Sequence, residues 1–294
     1  MQNMLKNVKL NIMATSPEAL IPYFVLGADD PEMRRIRNIL DGQGLSYAEA
    51  LSPNGGPVNG QTAYQARTTE IPLGHKAVFV ECQPQGVQEF VRIDHHRPGD
   101  PGYDLPASEA LRASSLGQVL LYLGLKPTHE DEILAASDHN FAAAYRGEVP
   151  NVKPKEVLQF NIDEIAKSHS VDQSTVKRLV QAYSEVLNNS TKLDFAGQPV
   201  SDLRKEQLGD GYSLEYLSAQ VAVVVKNSVA LLTTNNGDPN STKVVLTGHV
   251  SEESAQYFID NWAPSQGLKF IYGVPKRGYA GGYLPNPDSK QLDA

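Results

Sequence analysis

The residues of this chain best suited by type and spacing to do chemistry are Asp94-His95-His96, directly behind the apolar run Phe90-Val91-Arg92-Ile93. An acid followed by two imidazoles offers oxygen and nitrogen donors to a divalent cation. A buried strand over residues 90–93 would carry the triplet at its carboxyl end, where ligands collect in an open α/β sheet. Single histidines more often serve as hydrogen-bonded structural residues, so the neighbourhood has to decide.

The elements that would position the triplet are legible as punctuated hydrophobic runs. Tyr23-Phe24-Val25-Leu26 predicts a strand, followed by the acidic turn Gly27-Ala28-Asp29-Asp30. Asp30 suits a helix N-cap and Pro31 the first helical position. Met33, Ile36, Ile39 and Leu40 then supply an apolar helix stripe that ends near Gly42 or Gly44. Further strands are expected at 45–50, 76–81 and 89–93, around a turn-rich loop at 52–62. Helices are expected at 107–123, 130–136 and 141–145, while Ser16-Pro17-Glu18 offers a short helix start in a stretch of little periodicity. Alternating strands and helices predict an α/β fold with a doubly wound, mostly parallel sheet and ligands at the strand tips.

A boundary is expected at Pro150-Asn151-Val152-Lys153-Pro154, which makes 1–150 one domain. Residues 151–210 then read as a helical linker, in which Asp172 caps a run with Val176, Leu179, Val180, Tyr183 and Leu187 at helix spacing; 202–208 would add a shorter helix. Residues 211–294 read as a smaller C-terminal α+β domain. Its expected elements are a hairpin of 221–225 with 229–233 turning at Lys226-Asn227-Ser228, strands at 243–247 and 268–272, and a helix at 252–262.

Composition narrows the function classes. The chain has 294 residues, 40% hydrophobic and 20% charged, with a net charge of −8. A grip on long duplex nucleic acid usually needs a basic face. The basic spots here (Arg34, Arg35, Arg37; Lys276, Arg277) are local, which favours a small phosphorylated partner over a long polymer. No apolar run approaches the roughly 20 residues that span a bilayer, so no membrane partner is expected. The start of the chain lacks a secretory signal, and the single cysteine, Cys82, allows no internal disulfide; a cytoplasmic location fits. Cys82 follows an apolar run and is expected to be a buried small hydrophobe.

Asp94-His95-His96 is also the signature of the DHH phosphoesterase superfamily, and over about residues 20–150 the chain resembles its RecJ-like and oligoribonuclease-like members. Such proteins carry an acid after the preceding strand, matched by Glu81, and a fourth acid after a later apolar turn, matched by Asp138 in Asp138-His139-Asn140-Phe141. The first motif departs from the family's His-x-x-Pro-Asp-x-Asp: aligned on Pro31, Ala28 replaces the histidine, Glu32 keeps the first acid and Arg34 replaces the second.

The resemblance implies phosphodiester hydrolysis assisted by Mn²⁺ or Mg²⁺, with two ions about 3.5–4 Å apart neutralising phosphoryl charge and activating water. It implies metal ligands at Glu81, Asp94, His95 and Asp138, with Asp94, His95 and His96 as the catalytic triplet and His96 orienting its neighbours. Asp29 and His139 are added as substitute ligands for the altered first motif. Family members often end in a domain whose Gly-Gly-His loop holds substrate. Here Gly281-Gly282 stands before Tyr283, with Arg277 able to clamp a phosphate and Tyr279 or Tyr283 able to stack on a base. A glycine-rich turn with solvent-facing charges explains the same stretch equally well, and His249 is expected to be structural. The expected substrate is a small nucleotide or short oligonucleotide, and a homo-dimer is compatible. The alternatives are a protein of the same fold that binds a nucleotide or partner without hydrolysis and, more weakly, a pyrophosphatase.

Overall fold

The computed structural model describes residues 20–60, 62–67, 69–88, 90–206, 214–225, 227–234 and 241–285. The expected helix start at Ser16 and the turn residue Lys226 lie outside them. The chain is α/β, with two sheets and helices packed on both.

The first sheet is built by β1 (Ile21–Leu26), β2 (Tyr47–Glu49), β3 (His75–Val80) and β4 (Phe90–Ile93). All neighbours are parallel, in the order β2-β1-β3-β4. Helix α1 (Pro31–Gly42) makes the first crossover, opened by Asp30, whose side chain accepts the Met33 amide at 2.7 Å. One sheet face (Phe24, Leu26, Val78, Val80, Ile93) packs against α1 and the helices that follow β4. The other (Val25, Ala77, Phe79) is covered by the turn-rich segment, where Val58, Ala63 and Ala66 sit around a 3-10 turn at Thr62–Gln65. The central strands β1 and β3 are buried on both faces over most of their length and read as continuous apolar runs.

After β4 come α2 (Ala110–Ala113) and α3 (Ser115–Tyr122), split at Ser114, which caps α3 through the Gly117 amide. Helices α4 (His129–His139) and α5 (Phe141–Arg146) follow, α4 opened by a Thr128–Asp131 capping box and α5 capped by Asn140. Then α6 (Pro154–Ser168) and α7 (Gln173–Asn189) lead to the second sheet, α7 capped by Asp172 as expected.

That sheet holds β5 (Lys192–Phe195), β6 (Gln198–Asp202), β7 (Val229–Thr234), β8 (Ser241–Gly248), β9 (Lys269–Val274) and β10 (Tyr279–Pro285), in the order β5-β6-β7-β8-β10-β9. All its pairs are antiparallel except β6 with β7. Helix α8 (Leu214–Val224) precedes β7, and α9 (Glu252–Tyr257) runs through a π-turn (Phe258–Trp262) into the short α10 (Ala263–Ser265). Ala230, Leu232 and Val245 face α6, α7 and α8, whereas Val229, Leu231, Val244 and Leu246 face α9 and the π-turn. The two sheet layers meet through α4, α5, α6 and α8, around Ala136, Ala144, Tyr145, Val157 and Ala222.

Three expectations are corrected. The stretch expected as a helical linker contains β5 and β6, so the second sheet begins at Lys192. The helix expected at 202–208 is a strand end and turn as far as 206; 207 and 208 lie outside the described residues. The strand expected at 221–225 is the end of α8. Val221 packs into one core and Ala222 into another, so α8 is buried on two sides and shows no amphipathic period that would separate it from a strand.

Candidate metal centre

Strand register lines up the site. Leu26 pairs with Val80 and Val80 with Ile93, so Gly27, Glu81 and Asp94 stand next to one another just past the carboxyl edge of the first sheet. Glu81 has a left-handed backbone, φ +51°, a conformation costing about 1–3 kcal/mol for a residue with a side chain. Its carbonyl lies so close to Gly27 that a Cβ there would come within 2.5 Å of the oxygen. The chain is bent at Glu81 to bring its carboxylate inward.

Four ligand atoms converge there. His95 Nε2 lies 2.9 Å from Asp138 Oδ2, 3.4 Å from Glu81 Oε1 and 3.9 Å from Glu32 Oε2. All four are buried atoms without a hydrogen-bond partner, and the imidazole nitrogen lies within ion-pair distance of the three carboxylates. Four such atoms, within 4.8 Å of one another, form a set that could hold a metal ion. With metal–oxygen bonds of about 2.1 Å, neighbouring ligands of an octahedral ion lie about 3 Å apart and opposite ones about 4.2 Å, and the spacings seen fall across that range. Carboxylate oxygens with one imidazole and no thiolate suit Mn²⁺ or Mg²⁺.

Each ligand is held from behind. Glu32 sits in the first turn of α1, and its Oε1 accepts the Leu116 amide at 2.9 Å, a free N–H of the first turn of α3, which leaves Oε2 for the cluster. Asp138 rides the last turn of α4. Backbone Asp94 is pinned by Gln118, whose Nε2 donates to the Asp94 carbonyl at 3.0 Å. Behind His95, Nδ1 is 3.2 Å from His139 Nδ1, and His139 Nε2 is 3.0 Å from the Leu105 carbonyl.

The electrostatics fit a cation. Burial, joined by the charges of Asp138 and Glu81, pushes the Glu32 carboxyl well above its ordinary range. Burial and the same two carboxylates raise Asp30 to about 8. Burial opposes ionisation of Glu81, yet His96 and His95 beside it hold it ionised, near 2. Burial disfavours charge on His95, but Asp138 and Glu81 raise it to about 9; without a metal the imidazolium is the counter-charge. His139 is lowered to about 4, by burial first and then by the Arg277 guanidinium, and is neutral.

Among the expected ligands, Glu81, His95 and Asp138 are brought together, while Asp94, Asp29 and His139 are not. Asp94 is buried but spent: Oδ1 accepts the His95 and His96 amides and lies 3.1 Å from His96 Nδ1, and Oδ2 accepts the Tyr64 hydroxyl at 2.9 Å. Its role here is to shape the turn and hold His96, an exposed ring whose Nδ1 is 3.9 Å from Glu81 Oε1. Asp29 is exposed and ion-paired with Arg37 at 2.5 Å and Arg34 at 3.3 Å, away from the cluster. Both ring nitrogens of His139 are engaged, so it stands behind His95 and not beside it as a ligand.

The C-terminal expectations shift as well. Buried Arg277, in the turn between β9 and β10, donates from Nε to the His139 carbonyl at 2.6 Å and from Nη1 to the His95 carbonyl at 2.9 Å. Two of its donors are thus committed to backbone rather than to a phosphate clamp. Gly281, Gly282 and Tyr283 form no loop: they lie in β10, paired with Val245, Val244 and Lys243 of β8. A Cβ at Gly281 would meet the Tyr272 hydroxyl at 2.4 Å, so the glycine makes room for a cross-strand ring. Buried His249 stacks on Tyr145 at 6.4 Å, in keeping with a structural role.

The residue missed is Glu32. Its signal is its place as the acid after Pro31 in the aligned first motif, whereas the expected set takes Asp29.

No protein-family model matches the sequence, and no curated relative matches it. Among solved structures, the chain is similar to a Vibrio pGpG-specific phosphodiesterase, PggH, at 12% identity and a TM-score of 0.45, over 94% of this chain and 96% of that one.

Proposed function

We propose that this chain is a divalent-metal-dependent phosphoesterase that hydrolyses a phosphodiester in a small nucleotide or short oligonucleotide. The observation that carries this reading is the set of four buried ligand atoms, none of them hydrogen-bonded, on Glu32, Glu81, His95 and Asp138 at the carboxyl edge of a parallel sheet. A Mn²⁺ or Mg²⁺ ion held there would supply Lewis acidity to a phosphoryl oxygen and acidify water. The protein's own contribution is placement. Glu32, Glu81 and Asp138 bring negative charge matched to a divalent ion, His95 adds a nitrogen donor, and burial of these atoms excludes bulk water. His96 has Nδ1 beside Asp94, which leaves Nε2 as the ring nitrogen free for a substrate oxygen. A net charge of −8 without a basic block favours a small substrate.

The test is an assay of purified protein with Mn²⁺ or Mg²⁺ against dinucleotides, short oligonucleotides and pyrophosphate, repeated with Asp138→Ala and His95→Ala. Turnover of the nucleotide substrates that both variants lose supports the reading; full turnover in either refutes it. One observation favours a non-hydrolytic binding protein as the second reading. A second ligand group, Glu81, His95 and His96, shares two residues with the first, so among the described residues only one ion has a ligand set of its own. Metal binding with no turnover of any phosphodiester would favour that reading.

A further inference from the structure

We propose that His139 is a positioning residue that fixes the tautomer of the metal ligand His95, with Arg277 anchoring both histidines by their carbonyls. The inference rests on the metal centre proposed above. A carbonyl oxygen only accepts, so the 3.0 Å contact between His139 Nε2 and Leu105 O places a proton on that nitrogen. A neutral His139 then has its lone pair at Nδ1, and the proton in the 3.2 Å Nδ1–Nδ1 contact belongs to His95. With Nδ1 protonated, a neutral His95 must present the lone pair of Nε2 to Glu32, Glu81 and Asp138. Without that acceptor, the favoured neutral tautomer would carry its proton on Nε2, 2.9 Å from Asp138 Oδ2, where it would compete with a cation.

The pair is held from outside the first sheet. Arg277 lies 138 residues from His139 and 182 from His95, and it donates to the carbonyl of each at 2.6 and 2.9 Å. A buried guanidinium this close also disfavours a second proton on His139. The turn between β9 and β10 therefore sets the backbone of the two rings whose contact determines which nitrogen of His95 is free. Groups that orient a ligating histidine typically change metal affinity about 10–100-fold when removed.

The experiment combines ¹⁵N-histidine NMR, on the metal-free and Mg²⁺-loaded protein, with Mn²⁺ titration of the full-length wild type and variants. The expected spectra show His139 protonated at Nε2 alone in both states, and His95 as the imidazolium without metal and protonated at Nδ1 alone with Mg²⁺. His139→Leu should bind Mn²⁺ about 10–100-fold more weakly. His139→Asn can place Oδ1 where Nδ1 stood and should stay within about threefold of wild type, and Arg277→Met should weaken binding in the same direction as His139→Leu. Unchanged affinity in His139→Leu, a loss in His139→Asn as large as in His139→Leu, or a His139 proton on Nδ1 would overturn the proposal. If His139→Leu fails to fold, the Asn variant and the wild-type spectra decide. If the wild type binds no Mn²⁺, the metal centre itself has failed, and His139 in the metal-free protein still decides the relay: a proton on Nε2 with Nδ1 unprotonated upholds it, and a proton on Nδ1 overturns it.

Discussion

Glu32→Gln separates a metal ligand from a structural acid, because the two roles predict opposite signs. Oε1 accepts the Leu116 amide at 2.9 Å, and Oε2 has no partner while facing Glu81 and Asp138. A glutamine keeps the acceptor and turns an amide N–H toward those carboxylates, without the ionisation that burial and their charges disfavour at Glu32. A hydrogen bond to a charged group contributes about 1.5–3 kcal/mol. The metal-free variant should therefore be more stable than wild type by up to that amount, about 3–6 °C at roughly 2 °C per kcal/mol for a chain of this size. Mn²⁺ reverses the order of benefit. At 100 times its Kd, the ion stabilises the wild type by about 2.7 kcal/mol, near 5 °C. A variant binding about a hundredfold more weakly gains only ~0.4 kcal/mol at the same concentration. Thermal unfolding followed by circular dichroism, with EDTA and with Mn²⁺, reads both effects. A variant that is less stable without metal and shows the full Mn²⁺ shift would refute Glu32 as a ligand.

Other outcomes follow from the same geometry. Asp29→Ala should leave Mn²⁺ affinity within about twofold of wild type, since exposed ion pairs like those with Arg34 and Arg37 contribute at most about 1 kcal/mol; a tenfold loss in calorimetric titration would return Asp29 to the site. Gly102→Ala would set a Cβ 1.9 Å from the Ala113 carbonyl and 2.7 Å from His95 Cβ. It should cost about 1–3 kcal/mol in denaturant unfolding and weaken Mn²⁺ binding by displacing His95; normal values for both would contradict the packing. Burial opposes ionisation of Asp131, but Arg35 and Thr128 outweigh it and hold the carboxyl below its ordinary value. Its contribution is present above the unfolded carboxylate pKa, about 4, and fades as pH falls through the lower folded value. Asp131→Asn should therefore be less stable than wild type at pH 7 and close the gap below pH 4, as measured by urea unfolding; a constant gap would be the wrong sign.

The first sheet is legible because its central strands β1 and β3 hold bounded apolar runs and α1 carries its own start signals in Asp30 and Pro31. Legibility failed at 221–225, where a helix buried on two sides has the texture of a strand, and at β5 and β6, which are short and contain Pro199 and Ser201. In the cluster, Glu81 and Asp138 have a sequence signal because each follows an apolar run. The position of Asp94 and His139 outside the cluster has no such signal, because residue types do not show which acceptors are already taken. Asp94 looks like a ligand until the Tyr64 hydroxyl and the amides of His95 and His96 are seen on its oxygens. Long-range partners such as Arg277 with His95 leave no local trace at all.

The most direct measurement is the anomalous scattering of Mn²⁺ in a crystal of the protein soaked with that ion. The expected peak is bonded at about 2.1–2.3 Å to Glu32, Glu81, His95 and Asp138. A peak elsewhere, or none while those four side chains point to separate places, would contradict it.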